Sequence, residues 1–379
     1  MKKHVLILVS LLFSGCITSY VQNGPLEFQD IPYAGPTGKA WPERTVELPG
    51  VAETYGMQTI PKVTYIDLNP EGGQTLVFLH GLGSYSKFWK HQLETFAGQG
   101  WHVIAIDMVG YGKSSKPASF PYTMASMADV VWELLKTQDI QRPTLIGHSM
   151  GGQVAMSFAI RYPKDVAALV LTAPAGFEKF SAHERQWFTD VFSTTLVKSA
   201  PEAGIWSSVR RANFYRWVPE DEWLIEERVR LAQSKEFDQY AYAQVKSVHG
   251  LLETAVIRDN LGKISVPTLI IHGNQDRLIP NPFLHGGESE TLMAWGAQQI
   301  KDASLITLEN CGHMVQIDCH ADYNREVGKW LEAHRSAAPA AEAEREPAGE
   351  AAPEPTPAPK KRAAPKPPPA ETPPEGDPQ

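Results

Sequence analysis

Gly147-His148-Ser149-Met150-Gly151 is the stretch on which the reading of the fold turns. The apolar run Thr144-Leu145-Ile146 leads into it, and Gly152-Gln153-Val154-Ala155-Met156-Ser157-Phe158-Ala159 leads out at helical spacing. The order is strand, Gly-x-Ser-x-Gly, helix. A serine at such a turn is forced into an uncommon backbone conformation, and the glycines two residues to either side let strand and helix pack closely. Its hydroxyl then sits beside a helix N-terminus, where free N–H groups can meet a developing negative charge. Ser149 is therefore the candidate nucleophile.

Working outward, the same rhythm repeats. Val63 to Asp67 alternates as a strand. Thr75-Leu76-Val77-Phe78-Leu79 is a short apolar run, as a fully buried strand requires, and it ends in His80-Gly81-Leu82-Gly83. A helix over 84–96 follows. His102 to Asp107 is the next buried strand, running into Met108-Val109-Gly110-Tyr111-Gly112-Lys113-Ser114. Residues 124–138 form a helix whose apolar face is Met127, Val130, Val131, Leu134 and Leu135. Val166 to Leu171 is one more strand. Strands alternating with helices predict a mostly parallel sheet covered on both faces, with sites collected at its carboxyl edge.

Three motifs in this order, His80-Gly81-Leu82-Gly83, Asp107-x-x-Gly110-x-Gly112-x-Ser114 and Gly147-x-Ser149-x-Gly151, resemble those of α/β-hydrolases. The resemblance covers residues 50–335. It implies an α/β-hydrolase fold with a core over 46–176 and 250–335, and a helical cap inserted after the sixth strand at 177–249. In that span the strand rhythm stops, and aromatic residues such as Phe180, Trp187, Phe188, Phe192, Trp206 and Trp223 accumulate. Most should join cap to core, and a few should line an apolar substrate pocket.

A serine hydroxyl needs a base, and the base an orienting acid. In this fold the chain order is serine, acid, histidine. Asp276 follows the strand Val266 to Gly273 and resembles the family's acid; Asp259 and Asp302 lie at the wrong edge. His313 follows the last strand, Leu305 to Leu308, and resembles the base. The resemblance gives the oxyanion to the backbone N–H groups of Leu82 and Met150, and leaves His80 and His148 to shape the site. The implied activity is that of a serine hydrolase, foremost a carboxylesterase acting on an apolar ester through an acyl-enzyme. Gly312-His313-x-x-Gln316 also resembles meta-cleavage carbon–carbon hydrolases, although Met314 stands where they often have Trp. A non-catalytic envelope lipoprotein is the reading from outside enzymes. No cofactor or metal motif appears.

The ends differ from the body. Met1-Lys2-Lys3, the apolar run Val5 to Phe13, and Ser14-Gly15-Cys16 make a basic, apolar, small-residue sequence. It resembles a bacterial lipoprotein signal, with Phe13 where Leu is usual; an ordinary secretory peptide is the alternative. The resemblance implies a signal peptide over 1–15, lipidation of Cys16, and a lipid-anchored place in the cell envelope. Ile17 after the cysteine would direct a Gram-negative protein to the outer membrane. Residues 16–45, with Gly24-Pro25 and Gly35-Pro36, read as a tether. Thirteen of the 30 prolines fall after residue 336, so 336–379 reads as a disordered Pro/Ala/Glu-rich tail. The net charge of -8 offers no basic field for nucleic acid. Cys311 and Cys319 flank His313; in an oxidising envelope they are compatible with a disulfide or with two buried thiols.

Overall fold

The computed structural model describes residues 19–335. The expected signal peptide over 1–15, Cys16 and the expected tail over 336–379 lie outside the described residues. One eight-stranded sheet organises the rest: β1 (Glu43–Glu47), β2 (Lys62–Leu68), β3 (Thr75–Leu79), β4 (His102–Ile106), β5 (Thr144–His148), β6 (Ala168–Thr172), β7 (Thr268–Gly273) and β8 (Ala303–Leu308). Their spatial order is β1-β2-β4-β3-β5-β6-β7-β8. β1 and β2 pair antiparallel, as do β2 and β4; every later pairing is parallel. β5, β6 and β7 are buried along their whole length. Continuous apolar runs, rather than alternating ones, are what a strand covered on both faces needs.

Helices α1 (Pro49–Thr54), α2 (Lys90–Gly98), α3 (Met124–Thr137) and α4 (Met150–Arg161) flank this sheet. α3 starts where the Thr123 hydroxyl accepts the Ser126 N–H, and it buries Met127, Val130, Val131, Leu134 and Leu135. Between β6 and β7 the chain builds the cap from α5 (Ala182–Val191), α6 (Thr194–Lys198), α7 (Glu202–Asn213), α8 (Trp223–Leu231) and α9 (Phe237–Leu252). The short α10 (Ala255–Arg258) leads back to the core, which ends with α11 (Ser289–Gln299), α12 (Val315–Asp318) and α13 (His320–Ala333).

The tether is the reading that the structure corrects. Residues 19–45 are packed on the body instead of standing off it. Tyr20, Leu26, Phe28, Ile31, Tyr33 and Trp41 are all buried in the common core. Ser19 Oγ and Tyr20 N–H donate to the Glu202 carboxylate at 2.7 and 2.9 Å, and Leu26 N–H donates to the Arg230 carbonyl at 3.2 Å. Tyr33 OH donates to Asp107 at 2.5 Å, deep in the core. Glu43 to Glu47 is the edge strand β1. This arm lacks periodicity because it runs as turns and short 3-10 segments, each inserting one aromatic at a time. Burying such side chains stabilises a fold by about 2–3 kcal/mol each, which isolated aromatics supply without any helix or sheet.

Candidate active site

Ser149 occupies the turn between β5 and α4 with φ 51° and ψ -113°, a conformation that an L-residue rarely adopts. The surroundings hold it there. Its N–H donates to the Thr172 carbonyl at 2.9 Å, and its own carbonyl accepts from Ala175 at 3.0 Å. A Cβ on Gly147 would come within 2.2 Å of the Gly151 carbonyl oxygen, and one on Gly151 within 2.2 Å of the Leu79 carbonyl oxygen. Only glycine fits at either place, so the motif spacing is steric in origin.

Asp276 sits just beyond β7 and His313 beyond β8, both at the carboxyl edge. His313 Nδ1 and Asp276 Oδ2 are 2.8 Å apart, with 4% and 0% of their side chains exposed. The other Asp276 oxygen accepts the N–H groups of Leu278 at 2.8 Å and Ile279 at 3.1 Å. Three donors thus fix one carboxylate. The ionised acid accepts, so the His313 proton resides on Nδ1, and Nε2 is left as an acceptor. Ser149, His313 and Leu82 line one cavity of about 230 Å³, together with Phe188, Leu251 and Met314. No hydrogen bond joins Ser149 Oγ to His313 among the described residues; such contacts commonly tighten only when substrate binds.

Leu82 follows His80-Gly81 after β3, and Met150 is the first residue of α4. Neither backbone N–H donates to a protein acceptor among the described residues. His80 is fully buried and held neutral, its pKa lowered by burial. Met108 N–H donates to its Nε2 at 3.1 Å, so Nδ1 carries the proton and donates to Gly81 O at 2.8 Å. His148 Nε2 donates to the His313 carbonyl at 3.1 Å. Burial, and then the neighbouring His313, push its pKa well down. Both histidines therefore brace backbone that borders the cavity.

The His313 loop is braced further. Cys311 and Cys319 form a disulfide, with Cα atoms 6.0 Å apart. Asp318 accepts from Gly312 N–H at 2.7 Å and from the cap residues Tyr215 and Arg216 at 2.7 and 3.1 Å. Met314 N–H donates to Asn213 O at 2.9 Å. The cap thus docks directly on the histidine loop.

One group at the cavity was not legible in the sequence. Glu178 is buried there, accepts Asn281 N–H at 2.6 Å and pairs with His285 Nε2 at 3.0 Å. Burial pushes its carboxyl up. His285 also reaches Glu184 of α5 at 3.0 Å, tying the cap to the loop after β7. An isolated Glu and an isolated His over a hundred positions apart carry no motif. Among the described residues no three His, Cys, Asp or Glu side chains are grouped to hold a metal ion.

Comparison with known proteins follows the geometry. The family described as alpha/beta hydrolase fold matches residues 74–318. A putative carbamate hydrolase, RutD, of Yersinia enterocolitica is 29% identical over 261 residues, covering 68% of this chain and 86% of the relative. The monoacylglycerol lipase abhd6-A of Xenopus laevis is 27% identical over 262 residues, covering 66% and 72%. Among solved structures, a probable hydrolytic enzyme from Pseudomonas aeruginosa PAO1 superposes with a TM-score of 0.72 at 24% identity, covering 82% of this chain and 99% of that one.

Proposed function

The chain belongs to the alpha/beta hydrolase fold family and is an enzyme; from that premise we propose that it is a carboxylesterase acting through Ser149, His313 and Asp276. The observation that carries this reading is the buried Asp276–His313 pair, which opens onto the same cavity as the strained Ser149 turn. His313 Nε2 takes the Ser149 proton as Oγ attacks the ester carbonyl. Asp276 holds the tautomer and stabilises the imidazolium. The N–H groups of Leu82 and Met150 donate to the oxyanion, each contributing about 3 kcal/mol in the transition state. The tetrahedral adduct collapses, His313 returns the proton to the leaving alkoxide, and an acyl-enzyme remains. Water, deprotonated by the same imidazole, releases the acid.

The cavity walls, Phe188, Leu251 and Met314 among them, favour a small to medium apolar ester. Gln316, the residue shared with carbon–carbon hydrolases, is buried with its amide against Met314 Sδ and does not line this cavity. That favours the ester. Protein lacking residues 1–16 should react with a fluorophosphonate and hydrolyse a p-nitrophenyl ester. Ser149→Ala should lose both, with the rate falling by about a millionfold. Failure of the wild type to do either would sink the reading.

The proposal extends to location. A lipid on Cys16, after cleavage of residues 1–15, would anchor the enzyme in a bacterial envelope, at the outer membrane in a Gram-negative cell. Its support is the basic, apolar and small-residue order of the first sixteen residues. Cys16→Ser should move the protein from the membrane to the soluble fraction; retention on the membrane would exclude the anchor.

A further inference from the structure

A second chamber of about 420 Å³ lies under the cap, walled by Phe28 of the N-terminal arm and by Phe192, Leu196, Ile205 and Leu224. Its polar side chains include Tyr85, Ser199 and Tyr240, whose hydroxyls donate to Glu227, Leu196 O and Gly83 O, and Arg228 of α8 and Gln244 of α9. The last two converge over Gly83: a Cβ there would lie 3.1 Å from Arg228 Nη2 and 3.2 Å from Gln244 Nε2. Gly83 has φ +70° and leaves that space open. Among the described residues Arg228 has no carboxylate partner and its guanidinium makes no hydrogen bond. The adjacent Glu227 is taken by Lys87 and Tyr85. Gln244 is 6% exposed and turns its Nε2 toward the same space as the half-buried Arg228 guanidinium. Both side chains thus present N–H donors there that no protein acceptor takes up among the described residues, an arrangement suited to an oxyanion.

We propose that this chamber binds an amphiphile with one anionic head, a carboxylate or a phosphate, whose apolar chain lies along Phe192, Leu196, Ile205 and Leu224. The planar fork of Arg228 suits either oxyanion by paired N–H donation, and Gln244 adds a third donor through its amide N–H. Leu196 is 48% exposed and lines the chamber, so an apolar chain can enter past it. The head group lies close to the chemistry. A Cβ on Gly81 would be 3.3 Å from Ser149 Cβ, and Gly81 is two residues from Gly83. That places Arg228 on the order of 10 Å from the serine side chain. Leu82, between the two glycines, lines the catalytic cavity. Neither the acyl-enzyme nor turnover is required for binding, so occupancy stands apart from the esterase reading.

Decanoate, decyl phosphate and decanol, titrated calorimetrically into the protein over residues 17–379, test the site. At least one anion should bind with 1:1 stoichiometry and about tenfold more tightly than decanol. Arg228→Met should weaken that anion by about tenfold or more and leave decanol unchanged. Which anion binds separates a carboxylate from a phosphate ligand. Gln244→Leu, which keeps the charge and the volume, should weaken the same anion several-fold, and it carries the test if Arg228→Met melts early. Equal binding of decanol and both anions, or an anion affinity indifferent to both substitutions, would overturn the proposal.

Discussion

The floor and the roof of the catalytic cavity are built by different physics. On the floor, Ser149, Asp276 and His313 hang from the ends of β5, β7 and β8, and the backbone itself sets their positions. Glycines without room for a Cβ, a carboxylate met by three donors and a disulfide leave little freedom. The roof is looser. α5 and α6 contain no fully buried residue, and Trp187, Val191 and Leu196 are exposed. Side-chain carboxylates tie it down: Glu202 and Glu222 to the N-terminal arm, and Asp318 to residues 215 and 216. Solvated contacts of this kind contribute less than packed apolar surface and open at lower free-energy cost. On the function proposed above, chemistry falls to the rigid layer and choice of ligand to the yielding one.

Substitutions on each side should separate the two layers. The largest effect belongs to the floor. Asp276→Asn keeps the volume and an acceptor for Leu278 and Ile279, but offers His313 the wrong partner and so the wrong tautomer. The kcat for a p-nitrophenyl ester should fall by about ten-thousandfold, with little change in Tm. A loss below tenfold would place the chemistry elsewhere. Next comes the arm. Phe28 is 1% exposed, 5.2 Å from the Tyr240 ring and beneath Lys116 Nζ. Phe28→Ala should cost about 3 kcal/mol in urea unfolding and leave kcat for a short ester within about threefold. A cost below about 1 kcal/mol would show the arm to be dispensable to the roof.

The smallest effect probes the seam between cap and core. Burial pushes the carboxyl of Asp221, at the entry to α8, up to about 6, with Lys90 and His320 partly opposing the shift. Between about pH 4 and 6 the folded chain holds a proton that the unfolded chain has released. The native state then binds more protons, so stability falls as pH rises through that window. Asp221→Asn should flatten this fall and raise stability at pH 7 by about 1 kcal/mol, screening by solvent included. Unfolding midpoints compared at pH 4 and pH 7 provide the check. An unchanged slope would mean that Asp221 titrates as an ordinary surface acid.

Legibility in the sequence followed the range of the interactions. The buried strands announced themselves as apolar runs of five or six residues, and each glycine-bearing turn lay at the end of one. Positions at the carboxyl edge, Asp276 and His313 included, could thus be read from chain order taken together with the resemblance to the family. β1 and the arm could not. Tyr20, Phe28, Tyr33 and Trp41 are separated by turns, so no period links them; the only available signal was the density of aromatics in a supposed tether. Arg228, Gln244 and Glu178 were equally silent, because each gains its setting from residues distant in the chain: Gly83, Gly83 again, and His285.

What the sequence determined by itself was the alternation of strand and helix, the serine turn that glycine sterics demand, and an insertion where the strand rhythm breaks. These are local: hydrophobic periodicity and the absence of a Cβ act over a few residues. Only the tertiary structure decided that the stretch ahead of β1 belongs to the body, that it walls a chamber with the cap, and that an arginine and a glutamine meet there over a glycine. Those facts depend on which distant surfaces are pressed together, and burial and the pairing of polar groups are set by the whole packed fold.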